Sequence, residues 1–138
     1  MNAFTDSPSG YLHPAYADSF AEIATPRELP HSGGWFLERT IPGSDLRDGI
    51  GCYPLFACRK WKGLAQDLPA LADRLVSLCL ITDPFGDFHE KDLPGWFDVV
   101  LPYKSHYVLD LSRSLDLLLP ARHRRNTDHA LKRVQLDV

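Results

Sequence analysis

The chain is poor in sulfur, with three cysteines and one methionine among 138 residues. Cys52, Cys58 and Cys79 are odd in number, lie among apolar neighbours and show no C-x-x-C spacing. That pattern argues against a disulfide framework and a thiolate metal site, and it predicts reduced, buried thiols. No run approaches the ~18 consecutive apolar residues of a membrane span. The opening MNAFTDSPSGYLHPAY lacks the basic and apolar regions of a secretory signal. A cytoplasmic protein without membrane contacts is the expectation. There are no internal repeats and no low-complexity tract.

What is present is an ordinary globular composition, 44% hydrophobic and 24% charged. A chain of this length suits one domain burying roughly two-thirds of its unfolded surface. The net charge of −3 is unevenly spread. Ten Lys and Arg face sixteen Asp and Glu up to residue 120, whereas five basic residues face two acidic ones beyond it. The positive charge therefore belongs to one segment, ARHRRNTDHALKR.

Pro14 at a first helical position predicts a short amphipathic helix that carries Tyr16, Ala17, Phe20, Ile23 and Ala24 on one face and ends before Pro26. TPRELPHSGG reads as a loop, which sets an organisational boundary at residue 33. WFLERTI then reads as a strand, PGSD as a turn, and GIGCYPLFACR as a strand covered on both sides with an edge or bulge at Pro54. A helix is expected over Leu64 to Arg74, with Leu64, Leu68, Leu71 and Ala72 aligned. VSLCLIT reads as a buried strand ending in the type I turn DPFG.

WFDVVLP and SHYVLDL are further strand candidates, the second carrying Tyr107, Leu109 and Leu111 on one face. Ser112 or Ser114 can cap a following helix, and Pro120 either kinks it or starts another. In the basic segment, Arg122, Arg125 or Asn126, His129 and Arg133 form a polar stripe, leaving His123, Thr127, Ala130, Leu131 and Val134 toward the core. Interleaved elements of this kind predict a mixed α/β class, α+β in detail.

Three stretches carry chemistry-bearing residues. The glycines of RDGIG suggest a phosphate cradle, but the following apolar run reads as a strand where a cradle needs a helix. DPFGDFHEKD collects Asp83, Asp87, His89, Glu90 and Asp92, yet its spacing fits no calcium loop or zinc motif, so no metal site is expected. The arginines of the basic segment suit a solvated helix face or, as a second alternative, nucleic acid. Nucleic acid is disfavoured by the acidic remainder and by the absence of interleaved aromatics.

The run SHYVLDLSRSLDLLLPARHRRNTDHALKRVQLDV resembles a segment of FemAB-like members of the GNAT acyltransferase superfamily. There a strand ending in D-L-S leads into a helix with an R-R-N-x-x-x-A-L pattern, which falls here on Arg124, Arg125, Asn126, Ala130 and Leu131, after Asp110, Leu111 and Ser112. GWFLERTIPG and GCYPLFACRKW are similar to the opening strands of bacterial GNAT N-acetyltransferases more broadly.

The resemblance implies that residues 34–138 form a GNAT-like N-terminal half-domain with a mixed, largely antiparallel sheet flanked by helices. VQLDV would be the first strand of a sheet continued in a C-terminal half of the same polypeptide. It further implies transfer of an acetyl or aminoacyl group to a small-molecule or peptide amine. Acetyl-CoA or another acyl donor would be a co-substrate, with no tightly bound cofactor, and a homodimer is compatible. Catalytic residues are not identified, and the isolated half is expected to be inactive. Arg47 lies one residue too close to the first glycine of RDGIG for the R/Q-x-x-G-x-G/A donor loop, so donor binding falls to the second half. Arg124, Arg125 and Asn126 are then candidates for contact with the donor or the interface, and Lys104, His106 and Tyr107 for the acceptor cleft. The alternative is a stand-alone α/β ligand- or protein-binding module.

Overall fold

The computed structural model describes residues 10–108, 110, 112–114 and 118–134. These fall into two compact units, one reaching Tyr103 and the other starting at Lys104. The secondary structure is mixed α+β, with a four-stranded sheet in the first unit.

Helix α1 (Pro14–Asp18) has proline at its first position, and His13 caps it through Nδ1, which accepts the Ala15 N–H at 3.1 Å. It is shorter than the apolar spacing predicts. Ser19 Oγ donates to the Tyr16 carbonyl at 2.6 Å, and turns replace the helix from there to Ile23. Hydroxyl-to-backbone bonds of this type offer the chain an alternative to continued helix. Tyr16, Ala17, Phe20 and Ala24 still pack against Leu37 and Cys52, whereas Ile23 is exposed.

The stretch TPRELPHSGG is not simply a loop. Strand β1 (Thr25–Leu29) pairs antiparallel with β2 (Gly34–Thr40), Thr25 opposite Glu38 and Leu29 opposite Gly34. Pro26 is tolerated because β1 borders the sheet, where a missing N–H does least harm. The connecting turn uses Gly33 at φ +68° and is fastened from below by Asp67, whose carboxylate accepts the His31 and Ser32 N–H groups at 3.0 and 2.8 Å.

PGSD makes the expected turn, with Gly43 at φ +79° and the Ile41 N–H donating to the Leu46 carbonyl at 2.8 Å. It leads into β3 (Arg47–Gly51), antiparallel to β2. The expected strand GIGCYPLFACR is interrupted after Gly51 by a segment with a cis Tyr53–Pro54 bond, and pairing resumes only at Phe56, opposite Thr82.

The crossover to the last strand runs through a 3₁₀ turn (Trp61–Gly63), α2 (Leu64–Asp67) and a second 3₁₀ turn (Pro69–Leu71). The helix expected to reach Arg74 breaks because Pro69 has no N–H to give and its ring crowds the preceding turn. Leu64, Leu68 and Leu71 meet the core, as their spacing predicts, while Ala72 is exposed. Strand β4 (Ser77–Cys79) runs parallel to β3 and forms the other border of the sheet. VSLCLIT is therefore not a buried strand, and Cys79 is an exposed thiol.

Alternation along β2 sorts two cores. Phe36 joins Leu29, Phe56, Cys58, Trp61, Leu64 and Leu75 on one face, and Leu37 joins Ala17 and Cys52 on the other. Gly34 makes the first core possible, since a methyl group there would lie 2.5 Å from the Phe56 ring.

DPFG turns as expected, with the Gly86 N–H on the Asp83 carbonyl at 3.0 Å. WFDVVLP forms no strand. A 3₁₀ stretch (Glu90–Gly95) buries Leu93, Trp96 and Phe97 both pack on the core, and Val99 and Leu101 are exposed. Two adjacent aromatics turned to one core break the alternation that a half-buried strand requires.

In the second unit the described part of SHYVLDL has no ladder partner, and Leu109 and Leu111 lie outside the described residues. Asp110 Oδ1 accepts both the N–H and the hydroxyl of Ser112, at 3.0 and 2.6 Å, which also holds the Asp110 carboxyl below its ordinary range. Whether Ser112 or Ser114 caps a helix concerns residues outside those described. Pro120, at φ −53° and ψ 145°, precedes α3 (Ala121–Leu131) and so starts that helix rather than kinking it. The predicted inward face is absent: His123, Thr127, Ala130, Leu131 and Val134 are all exposed, and α3 buries no residue. Residues 135–138, including most of VQLDV, lie outside the described residues.

Candidate functional site

The most developed polar arrangement begins at Glu38. Period-two alternation in β2 places it on the same face as Phe36, at the end of that core, opposite Thr25 on β1 and Gly49 on β3. Its side chain is 2% exposed. Three arginines from three segments converge on it. Arg74 Nε lies 2.6 Å from Oε2, Arg27 Nη2 lies 3.7 Å from Oε1, and Arg47 Nη1 donates to Oε1.

Burial pushes the Glu38 carboxyl up, but hydrogen bonds from Arg74 and Arg47, with the charges of Arg74 and Arg27, outweigh it and leave the group below its ordinary value. One anion thus orders three cations. The arginine side chains stay 41–49% exposed, while Arg27 Nε is itself buried without a hydrogen-bond partner among the described residues.

Two shallow grooves flank this cluster and share Arg47. One, of about 320 Å³, lies between Asp45–Arg47 and Ala72–Val76. The other, of about 440 Å³, runs between residues 21–25 and Glu38–Thr40. On the opposite face of the sheet Arg39 grips Asp48 through two bonds, Nε to Oδ1 at 2.7 Å and Nη2 to Oδ2 at 3.0 Å. The hydrogen bond from Arg39 holds the Asp48 carboxyl below its usual range.

The remaining chemistry-bearing stretches resolve as packing. Arg47–Gly51 is extended, and Gly49 is covered by Leu75, Leu78 and Phe36, which leaves no cradle for phosphate. Burial pushes the Cys58 thiol up to about 12 and raises that of Cys52, so both are held as neutral thiols. Among the described residues no three His, Cys, Asp or Glu side chains stand where they could hold a metal ion. Nor is any described helix long and apolar enough to cross a membrane.

Of the residues expected at a site, Arg124, Arg125 and Asn126 occupy consecutive positions of α3, about 100° apart around its axis. Arg124 is half-buried, and Arg125 and Asn126 are exposed. Lys104, His106 and Tyr107 sit in an exposed run without secondary structure, Tyr107 fully exposed. None of the six lines either groove.

Sequence reading missed the Glu38 cluster. The signal was available in WFLE, where Phe36 and Glu38 share a face and an inward-facing carboxylate demands cationic partners. No family model, no curated protein and no solved structure matches the chain.

Proposed function

We propose that the chain is the N-terminal half of a FemAB-like or GNAT-like acyltransferase that passes an acyl group from a thioester, or from an aminoacyl ester, to an amine. The observation that carries this reading is the sheet itself. Strands β1 to β3 form an antiparallel meander, and a helical crossover then delivers β4 parallel to β3, with α1 and α2 on opposite faces. This is the mixed, largely antiparallel sheet between helices that the resemblance implies. Fold alone carries no chemistry, so the activity rests on the R-R-N motif and its neighbours.

In the proposed reaction the amine attacks the acyl carbonyl as the free base. A carboxylate or water takes its proton, and the thiol or hydroxyl of the donor leaves. Backbone N–H groups stabilise the tetrahedral oxyanion. Arg124 and Arg125 contact an anionic donor or the second half, Asn126 sets the geometry of α3, and Lys104, His106 and Tyr107 line the acceptor side. On this reading the donor is bound largely by the second half, because the sequence carries no R/Q-x-x-G-x-G/A motif.

The test begins with the coding DNA beyond Val138. An open frame continuing into a glycine-containing donor loop is expected, and an immediate stop codon overturns the proposal. The product of that frame should release thiol from acetyl-CoA when supplied with an amine panel. Arg125→Ala should raise the donor KM with little change in kcat.

A further inference from the structure

The groove beside the β2–β3 turn gathers both signs of charge in a small space. Arg47 and Arg74 line it, and both rest on Glu38, so their positions are fixed before any ligand arrives. With Arg27 they make three cations to one buried anion, which leaves positive charge uncompensated within the cluster. Asp45 and Asp73 line the same groove, are exposed, and form no ion pair among the described residues. Leu46 and Val76, each 55% exposed, line it as well and supply its apolar surface.

We propose that this groove binds a free α-amino acid with an apolar side chain, its carboxylate on Arg47 and Arg74, its ammonium on Asp45 and Asp73, and its side chain across Leu46 and Val76. Each simpler ligand class meets a penalty. Phosphate or a fatty acid would face two carboxylates, an amine would face two guanidiniums, and a neutral apolar molecule would desolvate four charges with nothing in return. A zwitterion answers both signs. At about 320 Å³ the groove stands at the small end of ligand sites, which are ~300 Å³ and larger, so it suits one residue and not a peptide. Because Glu38 has already ordered the two arginines, less side-chain entropy is lost on binding. The inference draws nothing from the acyltransferase reading, and its failure leaves that reading untouched.

Isothermal titration of the whole chain with L-leucine is the test, alongside leucinamide, which lacks the carboxylate, and 4-methylpentanoate, which lacks the ammonium. Saturable leucine binding near about 1 mM is expected, weakened about tenfold for each analogue. Arg74→Gln should abolish binding. Asp73→Asn, which leaves the Glu38 cluster intact, should weaken it about tenfold while preserving the unfolding midpoint, so the proposal stays testable should Arg74→Gln fail to fold. Absence of saturable leucine binding overturns the proposal. So does equal binding of 4-methylpentanoate or inorganic phosphate, or an Asp73→Asn protein that binds leucine normally.

Discussion

Replacing Glu38 by Gln keeps the side-chain volume but removes the charge on which Arg27, Arg47 and Arg74 converge. Breaking a buried ion network by deleting one partner is expected to cost about 3 kcal/mol, discounted here toward about 2 kcal/mol because the arginines stay half-exposed. Urea unfolding of Glu38→Gln at neutral pH reads this directly. The sign of the pH dependence follows from the depressed carboxyl. A lowered folded-state value contributes stability above the ordinary 4.5, and that contribution is lost as pH falls through the folded value. Asp48, also lowered, acts in the same direction, so the difference between wild type and Glu38→Gln isolates Glu38. The variant should show a flatter decline of stability below about pH 5. Thiol accessibility gives a second residue-scale test. Iodoacetamide under native conditions should label Cys79 alone, with Cys52 and Cys58 reacting only in denaturant, counted as mass adducts.

At the scale of elements, two glycine substitutions should separate sharply. A Cβ on Gly63 would lie 2.5 Å from the His31 carbonyl oxygen, which is backbone and cannot swing away, whereas nothing lies within 4 Å of a Cβ on Gly10. Gly63→Ala is expected to destabilise by about 3 kcal/mol or more, and Gly10→Ala to change stability by no more than about 0.5 kcal/mol, both measured by chemical denaturation. Much of the element order was legible: β2, the PGSD and DPFG turns, a helix opening at Pro14 and another at Leu64 all follow from local chemistry. The errors share a cause. TPREL looked like a loop because Pro26 weakens strand propensity, and only its position at the sheet border excuses it. VSLCLIT looked buried because apolar runs do not reveal which strand stands at the edge. The Glu38 cluster spans residues 27 to 74, and no window of neighbouring residues contains it.

For the whole molecule, the residues from Leu101 to Val108 are exposed and carry no ladder, and the contacts divide within them. Limited trypsin digestion should cut first after Lys104 and Arg113, leaving a product up to Lys104 that resists further cleavage. First cuts between Arg47 and Arg74 would contradict the assignment of the core. The basic helix α3 is the other large-scale feature, and no residue of it is buried. Its charge was plain in the sequence. Its lack of an inward face was not, because amphipathic spacing states what a helix offers and not whether anything accepts it.

The two borders of the sheet are defended unequally. β1 carries Pro26, Arg27 and Glu28, while β4 presents Ser77, Leu78 and Cys79 with neither proline nor charge. A bare strand margin is a template on which a neighbouring chain can lay its own backbone, and here an exposed free thiol sits on that margin. Concentrated protein aged in air should therefore accumulate sulfur-bridged pairs that run as doubled bands on gels without reductant. Writing Lys at position 79 should keep such preparations single and clear.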